Sequence, residues 1–424
     1  MSASPRLKDR RRTAAGTNVQ PGPLLIAARC RPAPLIQAAW QTDPTRRGVP
    51  LTVVSAGERV LAVCPGAAAT GVRTGQRLAQ ARMACPDLVW APPDWLAAGV
   101  LYEDLLAGLS SLSPVIEAHD AQAGLAYLDG GGLDRLIGEP PALVQAVIRA
   151  GAAVGIALRA GAGPSRLLAR LASERGDPAR GSAHLAPRDA WRLLHAVPLT
   201  DPLFALPPPV LAWCAEVGLR TAGGLAALPR AALTLRFDSS VTALWDVLNG
   251  ALEPPLCPWS PPAVLTARHA DDDGLADRPG QDVVLGSLAD TLLGQLRGRG
   301  QATAQLTLRV AWMDGTRRLS RSRHWPPLVT SGPLGRAALA LLDRAHQPPR
   351  PAPIQALRLE AGELGTDRGI QTPLFGDPLT ARQGRLTAVL SHQAARHGGA
   401  LLGRWRPDPC APDDWTWDGG TASE

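Results

Sequence analysis

The stretch Ser113–Asp129, SPVIEAHDAQAGLAYLD, constrains the fold most strongly. Pro114 breaks what precedes it, Val115–Ala118 predicts a strand, His119–Asp120 a turn, and Leu125–Leu128 a second strand. Two short β-rich runs separated by polar residues are the signature of a hairpin. Upstream, Leu24–Ala28 is a continuous apolar run suited to a buried central strand. Downstream, Pro141–Ala152 predicts an amphipathic helix, Val154–Leu158 a strand and Arg166–Arg175 another helix. Alternation of this kind predicts a mixed α/β layer around the hairpin. The glycines of Gly161–Ser165, which open the last helix, read as a tight turn; a phosphate cradle is their other reading.

With 424 residues, 45% hydrophobic and 19% charged, the chain is long enough for two to four globular domains. No apolar run approaches the roughly 20 residues of a membrane span, and the polar, basic N-terminus carries no signal-peptide pattern, so a cytoplasmic location is expected. Six scattered cysteines (30, 64, 85, 214, 257, 410) contain no C-x-x-C pair, which argues for reduced thiols without a disulfide framework or zinc site. The net charge of +7 favours a polyanionic partner. Lys8 is the only lysine, so no lysine stands in the folded part to grip a triphosphate.

The remaining chain reads as successive blocks. Residues 1–20 form a basic tail without apolar periodicity. Pro50–Val54 and Arg59–Cys64 are short strand-like runs, and Asp94 can cap a helix with Leu96, Val100, Leu101 and Leu105 on one face. Pro187–Gly250 is helical, and Cys257–Pro262 is a proline-rich linker. Gln281–Leu296 predicts a helix. Thr303–Trp312 alternates with Leu306, Leu308, Val310 and Trp312 on one face, and Asp314-Gly315 turns it back through Arg317–Trp325. Gly335–Ala345 and Ile354–Leu359 add a helix and a strand. Between Thr291 and Trp325 stand Arg297, Arg299, Arg309, Arg317, Arg318, Arg321 and Arg323 against the single acid Asp314, either a DNA-binding cluster or a solvated sheet face.

Several of these segments, in order, resemble the Y-family (DinB/UmuC-type) translesion DNA polymerases. Ser113, Pro114, Glu117 and Ala126-Tyr127-Leu128-Asp129 resemble the palm motif, and Gly71-Val72-Arg73-Thr74-Gly75-Gln76 with Ala81 and Cys85-Pro86 the fingers. Gly161, Ser165-Arg166, Leu168-Ala169-Arg170, Ala172-Ser173 and Asp177-Pro178 follow a further family segment. Gly124-Leu125-Ala126-Tyr127-Leu128-Asp129, Leu228–Leu233 and Arg236-Phe237 resemble the ImuB-type subfamily, relatives that have lost their catalytic residues. The resemblance covers about residues 21–400. It implies an α/β (α+β multidomain) right hand: a disordered tail 1–20, palm and fingers 21–185 (fingers about 45–92), a helical thumb 186–256, a β-rich little finger 263–364 and a C-terminal region 365–424.

Set against the family, Gly124 and Leu125 replace an adjacent Asp and Glu, and Pro21–Thr42 contains no carboxylate, its strand ending in Arg29-Cys30-Arg31-Pro32. Pro65, Ala68 and Asp177 stand where triphosphate contacts are implied. Two-metal nucleotidyl transfer needs carboxylates holding cations about 3.5–4 Å apart, and neither Gly nor Leu offers an oxygen. The expectation is therefore a chain that is not an enzyme, with no catalytic residues, metal or cofactor. It would be a non-catalytic adapter in mutagenic translesion synthesis and the DNA damage response. The implied partners are primer–template DNA, the β sliding clamp, a RecA-like accessory protein and a replicative-type (DnaE-like) error-prone polymerase. Gly218 and Gly223, in a helix-hairpin-helix turn, join the seven arginines as DNA-binding candidates. Gln371, Leu374 and Phe375 resemble the Q-x-x-L-F peptide that docks on clamps; packing of Leu374 and Phe375 on the following helix is the other reading. The alternatives in function are an active lesion-bypass polymerase using Glu117, Asp120, Asp129 or Asp134 as ligands, and a DNA-binding regulator on a polymerase fold.

Overall fold

The computed structural model describes residues 24–175, 182–184, 187–237, 239–251, 253–347, 352–367, 403–408 and 411–419. The basic tail, Asp177-Pro178 and the Gln371–Phe375 motif lie outside the described residues. The chain begins with β1 (Leu25–Cys30), α1 (Pro34–Thr42), β2 (Leu51–Val54), β3 (Val60–Val63), α2 (Pro65–Ala69), α3 (Leu78–Ala84), β4 (Val89–Ala91) and α4 (Trp95–Leu109). Next come β5 (Ile116–Asp120), β6 (Leu125–Asp129), α5 (Asp134–Ile137), α6 (Pro140–Ala153), β7 (Leu158–Gly163), α7 (Arg166–Arg175) and β8 (Ser182–His184). Five helices follow, α8 (Pro187–Ala196), α9 (Pro208–Glu216), α10 (Ala222–Ala226), α11 (Arg230–Thr234) and α12 (Ser239–Leu248). The last elements are β9 (Leu265–Leu275), α13 (Arg278–Gly298), β10 (Gln301–Trp312), β11 (Arg317–Leu328), α14 (Ser331–Ala345), β12 (Ile354–Thr366), β13 (Gly403–Asp408) and β14 (Ala411–Gly419). No helix among the described residues is long and apolar enough to cross a membrane.

The chain divides into two compact units, Met1–Arg29 with Gly108–Asp120 and Leu125–Trp259, and Cys30–Ala107 with Ala121–Gly124 and Ser260–Glu424. In the first, a sheet of order β5-β6-β1-β7-β8 has the hairpin at one edge. β1 pairs antiparallel with β6, Ile26 opposite Leu128, and Leu125–Leu128 are all buried. Here the hairpin differs from its sequence reading. β5 runs on through Asp120, the turn falls at 121–124, and the register shifts between Ala118 and Asp120. A bulge absorbs one residue and lets the strand outlast the polar positions that mark a turn.

The glycine-rich segment differs more. The strand predicted at Val154–Leu158 begins only at Leu158, and Gly161 and Gly163 lie inside β7. A Cβ at Gly161 would sit 2.1 Å from the Ser173 backbone nitrogen and 2.6 Å from the Ala172 carbonyl carbon. Gly161 is thus a packing contact of β7 against the backbone of α7, which corrects both the turn and the phosphate-cradle readings. The α7 N-terminus is capped by Ser165, whose Oγ accepts from the Leu168 N–H at 3.1 Å.

Arg166, next along, ties this unit together. Its Nε and Nη2 donate to Glu117 of β5 at 3.2 and 2.8 Å, and Nη1 and Nη2 donate to the carbonyls of Pro254 and Pro255 at 2.7 and 3.0 Å. The Arg166 N–H donates to Glu253, and the Cys257 N–H to Glu117 at 2.9 Å. The stretch read as a linker is therefore anchored at its start. Helices α8–α12 bury Leu194, Phe204, Val210, Leu225, Leu233 and Val241 in a core shared with Leu168 and Leu171 of α7.

In the second unit, α1 and the sheet β3-β2-β4 share a core of Ile36, Leu51, Val53 and Leu78. Asp94 caps α4 as expected, accepting from the Ala97 N–H at 2.9 Å. Further on, the sheet β11-β10-β12-β9 is covered on one face by α13 and α14. Leu306, Leu308, Val310 and Trp312 are all buried there, as their alternation predicts. β9 has no counterpart in the sequence reading, because Asp271-Asp272-Asp273 breaks its apolar pattern. β13 and β14 pair as a hairpin across the tryptophan-containing tail, to which the sequence reading gave no structure.

Gly161→Ala should destabilise the first unit by more than about 3 kcal/mol, the upper range of single-residue effects, measured by urea unfolding; near-neutral behaviour would contradict the close packing. Burial pushes the Glu117 carboxyl up, but the Arg166 hydrogen bonds, the Cys257 N–H and the Arg166 charge outweigh it and leave the carboxyl below its ordinary value. A lowered carboxyl stabilises the fold above its unfolded value of about 4.3 and loses that contribution as pH falls through the folded value. Glu117→Gln should therefore cost about 2 kcal/mol at pH 7. The gap to the parent should close below about pH 4, read from urea midpoints across pH.

Candidate functional site

The hairpin sets Leu125 against β1. Leu125 is 2% exposed and pairs directly with Arg29 of β1. Arg29 is ion-paired with Glu174, which also accepts from Arg170 Nε at 3.1 Å. In the other unit, the Cys30 N–H donates to the Gly124 carbonyl at 2.9 Å. Gly124 has φ +63°, and a Cβ there would lie 2.5 Å from Cys30 Cβ and 2.9 Å from Pro34 Cγ. No side chain fits at 124 without moving the backbone. Burial pushes the Cys30 thiol up to about 12, so it is a neutral packing group and not a thiolate ligand at neutral pH.

The neighbouring carboxylates have other roles. Glu117 is held by Arg166, and Asp129 Oδ1 accepts from the Gly131 N–H at 2.8 Å. Asp134 stands in the first turn of α5. Among the described residues, no three His, Cys, Asp or Glu side chains converge on a point where a cation could sit. Neither Gly124 nor Leu125 offers an oxygen ligand for magnesium, and Arg29 is a cation.

In the fingers segment, Pro65 and Ala68 fall within α2. Arg73 closes the following loop on it, Nη1 donating to the carbonyls of Ala68 at 2.8 Å and Val72 at 3.0 Å. In the helical block, Gly218 follows α9 with φ +76°, and Thr221 caps α10 by accepting from the Gly224 N–H at 3.3 Å. Gly223 packs against His195, 3.0 Å from an added Cβ to the His195 Cβ.

The arginines separate by strand periodicity. Residues directly opposite one another in an antiparallel ladder share a face. Val310, on the helix-covered face, lies opposite Arg318. Arg318 donates to the Ala345 carbonyl of α14 at 2.7 Å and covers the Trp312 ring at 5.7 Å. In this position it packs on the helix side of the sheet. The opposite face carries Arg317, Arg321 and Arg323 of β11 with Gln305, Thr307, Arg309 and Ala311 of β10. Continuing the ladder adds Arg358 opposite Arg309, and Arg268 opposite Arg358.

These cations differ in freedom. Arg309 is ion-paired with Asp104 of α4 and, at 2.9 Å, with Glu360. Arg321 is half-buried, donating to Thr307 Oγ1 at 3.1 Å and lying 3.9 Å from Glu103 of α4. Arg317, Arg323, Arg358 and Arg268 are exposed. Arg323 pairs with Glu363 at 2.7 Å while 74% exposed, a surface pair of little strength; Arg358, 47% exposed, pairs at 2.8 Å with the buried Glu360 that also meets Arg309. Arg297 and Arg299 stand exposed at the C-terminal end of α13, off the ladder. Sequence reasoning missed Arg268 and Arg358. The alternation of Leu357 and Leu359 around Arg358 carried the signal for one of them; register alone supplies Arg268.

Residues 34–174 match the impB/mucB/samB family. The chain is 27% identical over 304 residues to DNA polymerase IV of Caulobacter vibrioides, covering 71% of this chain and 74% of that one. It is 28% identical over 379 residues to DNA polymerase IV of Moorella thermoacetica, covering 85% and 90%. Among solved structures, an insertion ternary complex of Dbh DNA polymerase aligns over 81% of this chain and 99% of its own at 14% identity, with a TM-score of 0.48. The relatives overturn one expectation. They bear the name of an enzyme, so the reading of this chain as no enzyme is corrected. The side chains at 29, 124 and 125 describe local ligand chemistry, and that is not evidence that synthesis is absent. With a family match over residues 34–174 and relatives at 27–28% identity, the chain is similar to the DNA polymerase IV proteins of the Y family.

Proposed function

We propose that this Y-family homologue works in mutagenic translesion synthesis, held on primer–template DNA through the open face of the β11-β10-β12-β9 sheet and tethered to the sliding clamp through Gln371–Phe375. The observation that carries the DNA part is the gathering of Arg268, Arg317, Arg323 and Arg358, exposed, on one sheet face. In this reading residues 21–185 serve as palm and fingers, 186–256 as thumb, 263–364 as little finger and 365–424 as the partner-binding region. Gly223, in the first turn of α10, would present its backbone N–H to phosphate, an interaction that carries no sequence information, while Gly218, whose N–H donates to the Ala215 carbonyl at 3.1 Å, would shape the turn before it. A RecA-like accessory protein and a replicative-type error-prone polymerase would join on the same DNA, which makes the chain an adapter among them.

Each phosphate that an arginine neutralises releases counterions and contributes about −0.9 to the log–log salt slope on duplex DNA. Arg317→Ala, Arg323→Ala and Arg358→Ala together should weaken binding to duplexes of unrelated sequence equally and flatten that slope by about 0.9 for each phosphate no longer neutralised. Arg318→Ala, on the helix side, should leave the slope unchanged. Fluorescence anisotropy across a salt series reads both; a flat response to the triple variant would make the face a solvated one.

The clamp part has its own measurement. Gln371 supplies an amide and Leu374 and Phe375 adjacent apolar anchors, and Pro373 narrows the unbound peptide's conformations. A peptide of residues 368–377 should bind purified sliding clamp at micromolar strength by calorimetry, and Leu374→Ala with Phe375→Ala should abolish the heat. No heat from the parent peptide would end the clamp assignment.

A further inference from the structure

Trp325 is 78% exposed, whereas Trp312 in the neighbouring strand is fully buried. Tryptophan is the largest side chain, and leaving one on the surface forgoes the burial that most stabilises it. Ser320, Ser322 and His324 are buried, and His324 Nε2 is 2.7 Å from Ser322 Oγ. With those three turned to the helix side, Arg317, Arg321 and Arg323 take the opposite face. Trp325 comes two residues after Arg323, within the stretch 324–327 over which the pairing with β10 passes from Gln305 opposite Arg323 to Thr303 opposite Leu328. β11 is an edge strand, so Trp325 stands at the sheet edge beside the end of the arginine run.

We propose that Trp325 is a stacking platform for an unpaired base of a DNA strand, with Arg323 taking a phosphate of the same strand. This rests on the sheet face being the DNA-binding face. A base inside a duplex has both faces covered by its neighbours, whereas an unpaired base offers a bare π-face to an indole, in any sequence. The positive charge around Trp325 selects a polyanion over an apolar protein groove. The platform therefore gives this face a preference that the arginines alone lack, for single-stranded over duplex DNA.

The test uses the full chain with a labelled oligothymidine and a blunt duplex carrying the same number of phosphates, compared by anisotropy at one salt concentration. Trp325→Ala should weaken single-strand binding about five-fold or more, the lower end of base–aromatic stacking, while duplex affinity stays within about two-fold. Trp325→Phe should restore most of the loss. Unchanged thermal unfolding of Trp325→Ala, expected for so exposed a residue, shows that the loss is one of binding. Equal losses on both ligands, or none on the single strand, overturn the proposal. The Arg317→Ala, Arg323→Ala, Arg358→Ala variant separates the two readings. If it loses duplex binding while Trp325→Ala leaves single-strand binding intact, only the stacking claim fails; if it alters binding of neither ligand, the sheet-face reading fails with it.

Discussion

Arg166 joins three places far apart in sequence: the first strand of the β5–β6 hairpin through Glu117, the start of α7 through its own backbone, and the prolines at 254 and 255 that follow the helical block. Only a guanidinium has enough donors, in a planar fork, to meet a carboxylate twice and two carbonyls besides. The pair is mostly shielded from water, so losing either partner would strand the other charge in a place that solvates it poorly. The Cys257 N–H completes the carboxylate's shell, and the Trp259 N–H bonds the Ile116 carbonyl at 2.6 Å. The proline-rich passage is thus laid along β5 and the sheet edge is covered.

A second constraint is close approach. Gly161 lets β7 meet α7 backbone to backbone, and Gly124 lets the hairpin turn lie on Cys30 and Pro34. Both positions read differently in one dimension, the first as a turn and the second as a missing ligand. In three dimensions each is filled by its neighbours: Ser173 and Ala172 at one, Cys30 and Pro34 at the other. Exchanging Gly124 for a carboxylate would therefore require the start of α1 to shift, in addition to supplying the oxygen.

Charge on the four-stranded sheet is organised by period. The arginines of β10 and β11 look equivalent in sequence, yet a one-residue step moves a side chain from one face to the other. Arg318 is thereby directed onto Trp312 and α14, and Arg309 is met by Asp104 and Glu360. Arg268 and Arg358, distant in sequence from the cluster, join the open face through the β10–β12–β9 ladder.

The sequence by itself determined the hairpin, the α/β alternation, the helical block and the β10–β11 ribbon with its buried leucines and tryptophan, because periodicity is a local property. It placed the oxygen-poor residues at 124 and 125 and located the arginine concentration. Tertiary structure alone decided which arginines are available, since face and partner depend on register and on α4, and why the glycines at 124 and 161 are there, since that depends on what packs against them. It also revealed β9, whose acidic run hides its strand pattern, and the pinned passage 253–259, whose prolines suggest freedom until Arg166 and Glu117 are seen to hold it. Local pattern encodes what a segment can be; only packing fixes what it touches.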